Sequence, residues 1–363
     1  MSVIESYLAK RKIPELLKFA DGRDVTAENW GERRKEILSI LENEIYGTAP
    51  EAPSITVTKT LTGAEAKKKY SFYAGKATSS ELTISFETDN GPFSFPVAEI
   101  VPKSDKKLPV FVFINFRPDL PDRFCPVEEI VDSGCAILRV YYNDVAFDGE
   151  DGFTGGIASM YDRKKYTWGK IRMWAWALSR VMDYLQTTDY ADLTRVVVTG
   201  HSRLGKTSLV CAAFDERFAM ACANDSGCSG DAITRNKKGE HIADITRNFP
   251  FWFCDNYKKY VNKEDELPFD QHFLVGAIAP RRVSLGAAVD DEWADPDSQY
   301  LSACAASKAW EMLGETGLEH PDRLPRPEEY FEGGKLCYHL RNGAHFYSRT
   351  DWLVYIDAIK NIK

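Results

Sequence analysis

No stretch of the chain approaches the roughly 20 consecutive apolar residues that a membrane-spanning helix needs, so a helical anchor is not expected. Basic residues are in deficit, with 46 Lys and Arg against 54 Asp and Glu and a net charge of −8. That balance leaves no positive field to hold a nucleic-acid backbone or an anionic membrane, and neither partner is expected. Cysteine is present but unpatterned. The eight residues Cys125, Cys135, Cys211, Cys222, Cys228, Cys254, Cys304 and Cys337 form no C-x-x-C pair and no Cys/His spacing of a zinc site, so no metal and no cofactor is expected. Cys135 and Cys211 sit in apolar runs, where a free thiol behaves as a small hydrophobe. Repeats, low-complexity tracts and Pro- or Ser-rich linkers are also missing, which argues against solenoids and strings of domains. The opening Met1 to Glu15 lacks the apolar core of a signal peptide. As written the chain is expected in the cytoplasm, and a trimmed leader would make it secreted or periplasmic.

What is present suits one globular, monomeric domain: 363 residues, 44% of them hydrophobic. We expect a helical extension over 1–54, antiparallel strands over 55–103 and an α/β core over 104–363. Ile37, Leu38, Leu41 and Ile45 recur at helical spacing within 27–46. Short alternating runs at Thr56 to Leu61, Tyr70 to Tyr73, Leu82 to Phe86 and Phe93 to Ile100, broken by Gly and Asn-Gly turn signals, predict a meander. Beyond Pro102 apolar strands alternate with helices, the pattern of a mostly parallel sheet with right-handed crossovers. Strands are predicted at Pro109 to Phe116, Ala136 to Tyr142, Arg195 to Thr199, Met220 to Asn224, Arg282 to Ala288 and Lys335 to Arg341. The apolar helix Lys170 to Leu185 should press on the sheet with Trp174 and Trp176 as packing, and Lys67-Lys68-Lys69 reads as solvated surface.

The chemistry concentrates where Val196-Val197-Val198-Thr199 gives way to a helix from Leu204 to Ala213. A sharp strand-to-helix turn there would lift the Ser202 hydroxyl above the sheet, and the next backbone N–H would help to hold an oxyanion. Leu204 breaks the usual G-x-S-x-G, with Gly200 and Gly205 supplying the small residues. The same stretch, Gly200-His201-Ser202-Arg203-Leu204-Gly205-Lys206-Thr207, also fits the phosphate-cradling G-x-x-x-x-G-K-[ST] of nucleotide hydrolases. Chain order decides between them. His345 follows the last predicted strand, and carboxylates follow two strands between it and Ser202: Asp225 after one, Asp290, Asp291 and Asp295 after the other. That is the serine-hydrolase order of Ser, acid, His, and a P-loop gives His345 no role.

With those residues in place, the sequence resembles the glucuronoyl esterases of carbohydrate esterase family fifteen, in particular bacterial members and sequences called acetylxylan-esterase-like. The likeness runs from about Asn29 to the C-terminus. Gly200 to Lys206 is similar to the family's G-x-S-R-x-G-K. Asn224-Asp225-Ser226-Gly227, Gly239-Glu240, Phe249 to Phe253, Leu267 to His272, Ala279 to Arg282, Asp291 to Pro296 and Gly343-Ala344-His345 extend it. The resemblance implies an α/β-hydrolase three-layer sandwich whose mixed, mostly parallel sheet is extended by the N-terminal antiparallel strands.

It also implies Ser202 as nucleophile, His345 as base, and Arg203 at the oxyanion through both its backbone N–H and its guanidinium. Lys206, Glu240 and Trp293 would meet a uronate, and Asn248 stands where relatives carry a sugar-contacting Gln. The acid is Asp225 or Asp291, with Asp291 favoured. Fungal relatives carry Cys where His201 stands, so no disulfide is expected there. The implied reaction is hydrolysis of glucuronic or 4-O-methylglucuronic esters on xylan or lignin alcohols through an acyl-enzyme. Removal of acetyl groups from xylan is the alternative. His272 and His339 read as structural. The acidic run Asp290, Asp291, Glu292, Asp295 and Asp297 lacks the glycine and ligand spacing of a calcium loop.

Overall fold

The computed structural model describes residues 1–70 and 73–362. Ten strands form one sheet: β1 Thr56–Leu61, β2 Ala77–Thr88, β3 Gly91–Pro102, β4 Leu108–Asn115, β5 Ala136–Tyr141, β6 Ala191–His201, β7 Met220–Asn224, β8 Arg282–Ala288, β9 Glu329–Phe331 and β10 Leu336–Arg341, in the order β1-β2-β3-β5-β4-β6-β7-β8-β10-β9. Pairing is parallel from β5 through β4, β6, β7 and β8 to β10. It is antiparallel for β1, β2 and β3 at one edge and for β9 at the other.

Why the middle is parallel shows in β4. All eight of its residues are buried, and successive side chains enter opposite cores. Val110, Val112 and Ile114 join the larger core and Phe111 and Phe113 the smaller, as a strand with a helical layer on each face requires. The helix Lys170–Leu185 packs on the larger core with Trp174 and Trp176 buried. Their indoles donate to the carbonyls of Ala146 and Pro50. The helix Arg349–Lys360 closes the other face, where Trp352 packs edge-on to Phe111 and Phe113. No helix among the described residues is long and apolar enough to cross a membrane.

Local differences from expectation have physical causes. Gly63–Lys69, Gly-Ala-Glu-Ala-Lys-Lys-Lys, is a helix, because strong helix formers fill it. Tyr70 caps that helix rather than opening the strand expected at Tyr70 to Tyr73, and Ser71 and Phe72 of that strand lie outside the described residues. The helix expected over 27–46 runs from Trp30 to Leu41 and then widens into a π-turn over Glu42–Tyr46. The β2–β3 hairpin is longer than the hydrophobic pattern suggested. Twelve pairs extend it to Thr88 and Gly91, with Gly91 at φ 111° where a side chain would be strained.

Candidate active site

Parallel strands leave their carboxyl ends open to one side, and the functional side chains gather there. Strand β6 ends at His201 and a helix starts at Arg203, so Ser202 alone makes the turn. Its backbone stands at φ 59°, ψ −125°, a conformation that costs a residue with a side chain about 1–3 kcal/mol. The Ser202 N–H donates to the Asn224 carbonyl at 2.8 Å, which ties the turn to β7. A Cβ on Gly200 would lie 2.4 Å from the Leu204 carbonyl oxygen, so only glycine permits the bend. A phosphate-cradling loop needs several residues between strand and helix. Here there is one, and Lys206 is buried with Nζ donating to the Ser226 carbonyl at 2.6 Å, so the P-loop pattern is a coincidence of spacing.

His345 lies on the loop after β10, with Nδ1 2.6 Å from Asp291 Oδ2. The carboxylate on Nδ1 holds the proton there and leaves Nε2 free to accept one. Asp291 follows β8 and is buried, whereas the His345 side chain is 42% exposed. Among the described residues no hydrogen bond joins Ser202 Oγ to His345. The two line one cleft, and contacts of this kind commonly tighten when substrate binds.

Asp225 has a different neighbourhood. It is fully buried after β7, with Oδ2 accepting from Arg341 Nη2 at 3.2 Å and from the Phe346 N–H at 3.3 Å. Its Oδ1 has no partner. Burial pushes this carboxyl up, against the pull of Arg341. His201 fills the space between: its Nδ1 is 2.6 Å from Asn224 Oδ1 and its ring centre is 4.4 Å from that of His345. Burial pulls the His201 imidazole down to about 3, so it stays neutral beside His345. Ligand-type atoms of His201, Asp225 and His345 come within 4.8 Å of one another. Three of those atoms are already engaged, since Asp225 Oδ2 accepts from Arg341 and the Nδ1 atoms of His201 and His345 face Asn224 and Asp291.

Arg203 opens the helix, where its backbone N–H has no intrahelical acceptor. Its guanidinium donates through Nη1 to Asp148, whose other oxygen accepts from Trp252 Nε1 at 2.7 Å. The guanidinium carbon lies 4.6 Å from the centre of Trp252 and 5.2 Å from that of Phe249, and these two rings stack at 3.8 Å. With its charge balanced by Asp148 and its plane held by rings, Arg203 keeps one buried donor unspent, Nε. An unspent donor at a helix start is what a developing oxyanion needs.

The cleft, about 330 Å³, also contains Lys206, Glu240 and Trp293. Gly239 brings the last two together, because a Cβ there would meet the Trp293 carbonyl at 2.4 Å and the Glu240 N–H donates to that carbonyl at 2.9 Å. Trp293 is 54% exposed and offers a flat face at the rim. Burial pulls the Lys206 ammonium down, opposed by Glu240 and Asp231.

Asn248 does not join them. It is exposed at the end of the helix Ile242–Asn248 and absent from the cleft lining, where Phe249 and Trp252 take that wall. Asp295 caps the helix Pro296–Met312 and accepts from the Lys238 N–H. His272 binds the Pro14 carbonyl and His339 binds Asp351, away from the cleft. Sequence reasoning gave no role to Asp148, Phe249, Trp252 or Arg341. Aromatic spacing in Phe-Pro-Phe-Trp-Phe was a signal for the rings, and nothing local marked Asp148.

A serine on a strained strand-to-helix turn, a histidine bonded to a carboxylate and a free donor beside them, above a mostly parallel sheet, define a serine hydrolase of the α/β-hydrolase class. A family profile described as "Glucuronyl esterase, fungi" matches residues 83–314. Carbohydrate esterase MZ0003, from an unknown prokaryotic organism, is 32% identical over 97% of this chain and 90% of its own. The 4-O-methyl-glucuronoyl methylesterase of Podospora anserina is 32% identical over 82% of this chain and 59% of its own. Among solved structures, a glucuronoyl esterase from Solibacter usitatus superposes with a TM-score of 0.86 at 31% identity, over 96% of this chain and 97% of that one. The chain belongs to the glucuronyl esterase family and is a carboxylic ester hydrolase.

Proposed function

We propose that the protein hydrolyses esters of glucuronic acid, 4-O-methylated or not, on carbohydrate or aromatic alcohols. Ser202 attacks the uronoyl carbonyl while His345 Nε2 takes its proton. Asp291 holds the imidazole and balances its charge. The tetrahedral oxyanion forms against the Arg203 N–H and Nε–H. The C–O bond to the alcohol then breaks as His345 returns the proton to the leaving oxygen, and water repeats the sequence on the acyl-enzyme. Lys206 and Glu240 meet the sugar hydroxyls and Trp293 its face.

One observation carries this reading. The 2.6 Å bond between His345 and Asp291 lines the same cleft as a buried ammonium and carboxylate, Lys206 and Glu240, which an acyl group as small as acetate would leave unused. Supporting it, the relatives named above include a 4-O-methyl-glucuronoyl methylesterase and a glucuronoyl esterase. Turnover of benzyl glucuronate, acetylated xylan and p-nitrophenyl acetate tests the assignment. Benzyl glucuronate should give the highest kcat/KM, and Lys206→Ala should lower it at least tenfold while sparing p-nitrophenyl acetate. Cleavage of the acetates alone would transfer the enzyme to carbohydrate deacetylation.

A further inference from the structure

The guanidinium of Arg341, at the end of β10, spends every N–H it has. Nε donates to both oxygens of Asp351 at 3.0 and 2.9 Å. Nη1 donates to the carbonyls of Asn342 and Ala344, both at 3.2 Å. Nη2 donates to Asp225 at 3.2 Å and to the Phe346 carbonyl. Three of these acceptors, on Asn342, Ala344 and Phe346, belong to the short loop that carries His345 and bracket it on both sides. The remaining two groups are buried carboxylates. Asp351 is fixed by His339 Nε2 at 2.9 Å and by the Ser348 N–H at 2.7 Å, so the arginine is anchored to the helix Arg349–Lys360. Asp225 stands near enough to the base to compete for it, since its carboxylate lies within 4.8 Å of the His345 and His201 nitrogens.

We propose that Arg341 is a positioning residue that gives the base its acid. It holds the His345 loop by three carbonyls and engages Asp225, so that Asp291 alone bonds the imidazole. A planar fork with five donors can do both at once, and a lysine, with three donors on one atom, cannot. The residue reaches substrate only through His345, and the sugar wall of Lys206, Glu240 and Trp293 hangs on other segments. Weakening Arg341 should therefore lower kcat and leave KM.

The inference rests on the reading of His345 as base, and p-nitrophenyl acetate reports it whether or not uronate esters are cleaved. Arg341→Lys should lower kcat for that ester 10- to 100-fold with KM within threefold. The downfield proton NMR signal of the His345–Asp291 hydrogen bond should vanish while thermal melting stays cooperative. A kcat within twofold of wild type, or a loss matched by the unfolded fraction with the signal intact, overturns the proposal. If Arg341→Lys does not fold, two variants that keep the arginine decide. The downfield signal should persist in Asp225→Asn and disappear in Asp291→Asn, and its loss in Asp225→Asn overturns the assignment.

Discussion

Asp225 and Asp291 stand just past the carboxyl ends of neighbouring parallel strands, β7 and β8, and both are nearly free of solvent. One faces the imidazole of His345 at 2.6 Å, and the other faces a guanidinium that also grips the loop of that imidazole. The difference teaches that a carboxylate in a cleft takes its role from the cation or imidazole it finds. Placement along the chain left both eligible. In the mechanism proposed above, the Asp291 side is the reacting arm and the Asp225 side the brace behind it.

The contrast breaks if the two roles exchange under mutation. Asp291→Ala should have the largest effect, lowering kcat roughly 10³- to 10⁴-fold with little change in KM. Its stability should stay within about 1 kcal/mol of wild type, because the bonded histidine is partly exposed. Asp225→Asn should do the reverse. Steady-state kinetics should show less than a tenfold loss, while chemical denaturation should show a cost of about 2–3 kcal/mol from the lost charged hydrogen bonds. Equal kinetic losses for the pair would dissolve the distinction between arm and brace.

The smallest effect sharpens the same picture through His201, which sits between the two carboxylates. Its folded imidazole titrates at about 3, below the 6.5 of the unfolded chain, so as pH falls the unfolded state binds the proton first. Stability present above pH 6.5 is therefore lost progressively down to about pH 3, and at pH 5 the loss is about 2 kcal/mol. Thermal melts of wild type and His201→Gln at pH 7 and 5 measure it. The variant should lose less on acidification, and parallel losses would remove His201 from the account.

Much of this was legible in the chain. The apolar runs at Ala136 to Tyr142, Met220 to Asn224 and Arg282 to Ala288 became parallel strands because both of their faces are covered, which leaves little polar alternation to confuse the reading. The turn at Ser202 was legible because glycine is required where backbone meets backbone, and His345 because it follows a strand. Other features depend on distance. Asp148 reaches Arg203 across 55 positions and Arg341 reaches Asp225 across 116, separations at which no local pattern survives. Asn248 illustrates the opposite error: transferred by position, it lies one residue from Phe249, which lines the cleft, yet faces solvent.

The rim tryptophan has a further consequence. Of eight tryptophans, Trp293 alone is exposed among the described residues, and Trp252 nearby is enclosed. The other indoles are shut away from water, so the red edge of the fluorescence spectrum belongs to Trp293. A sugar ring laid on that face would dry it, shift the edge to the blue and shield it from iodide. With the sugar placed there as proposed, the protein would carry its own optical gauge of occupancy, readable without label, product or turnover.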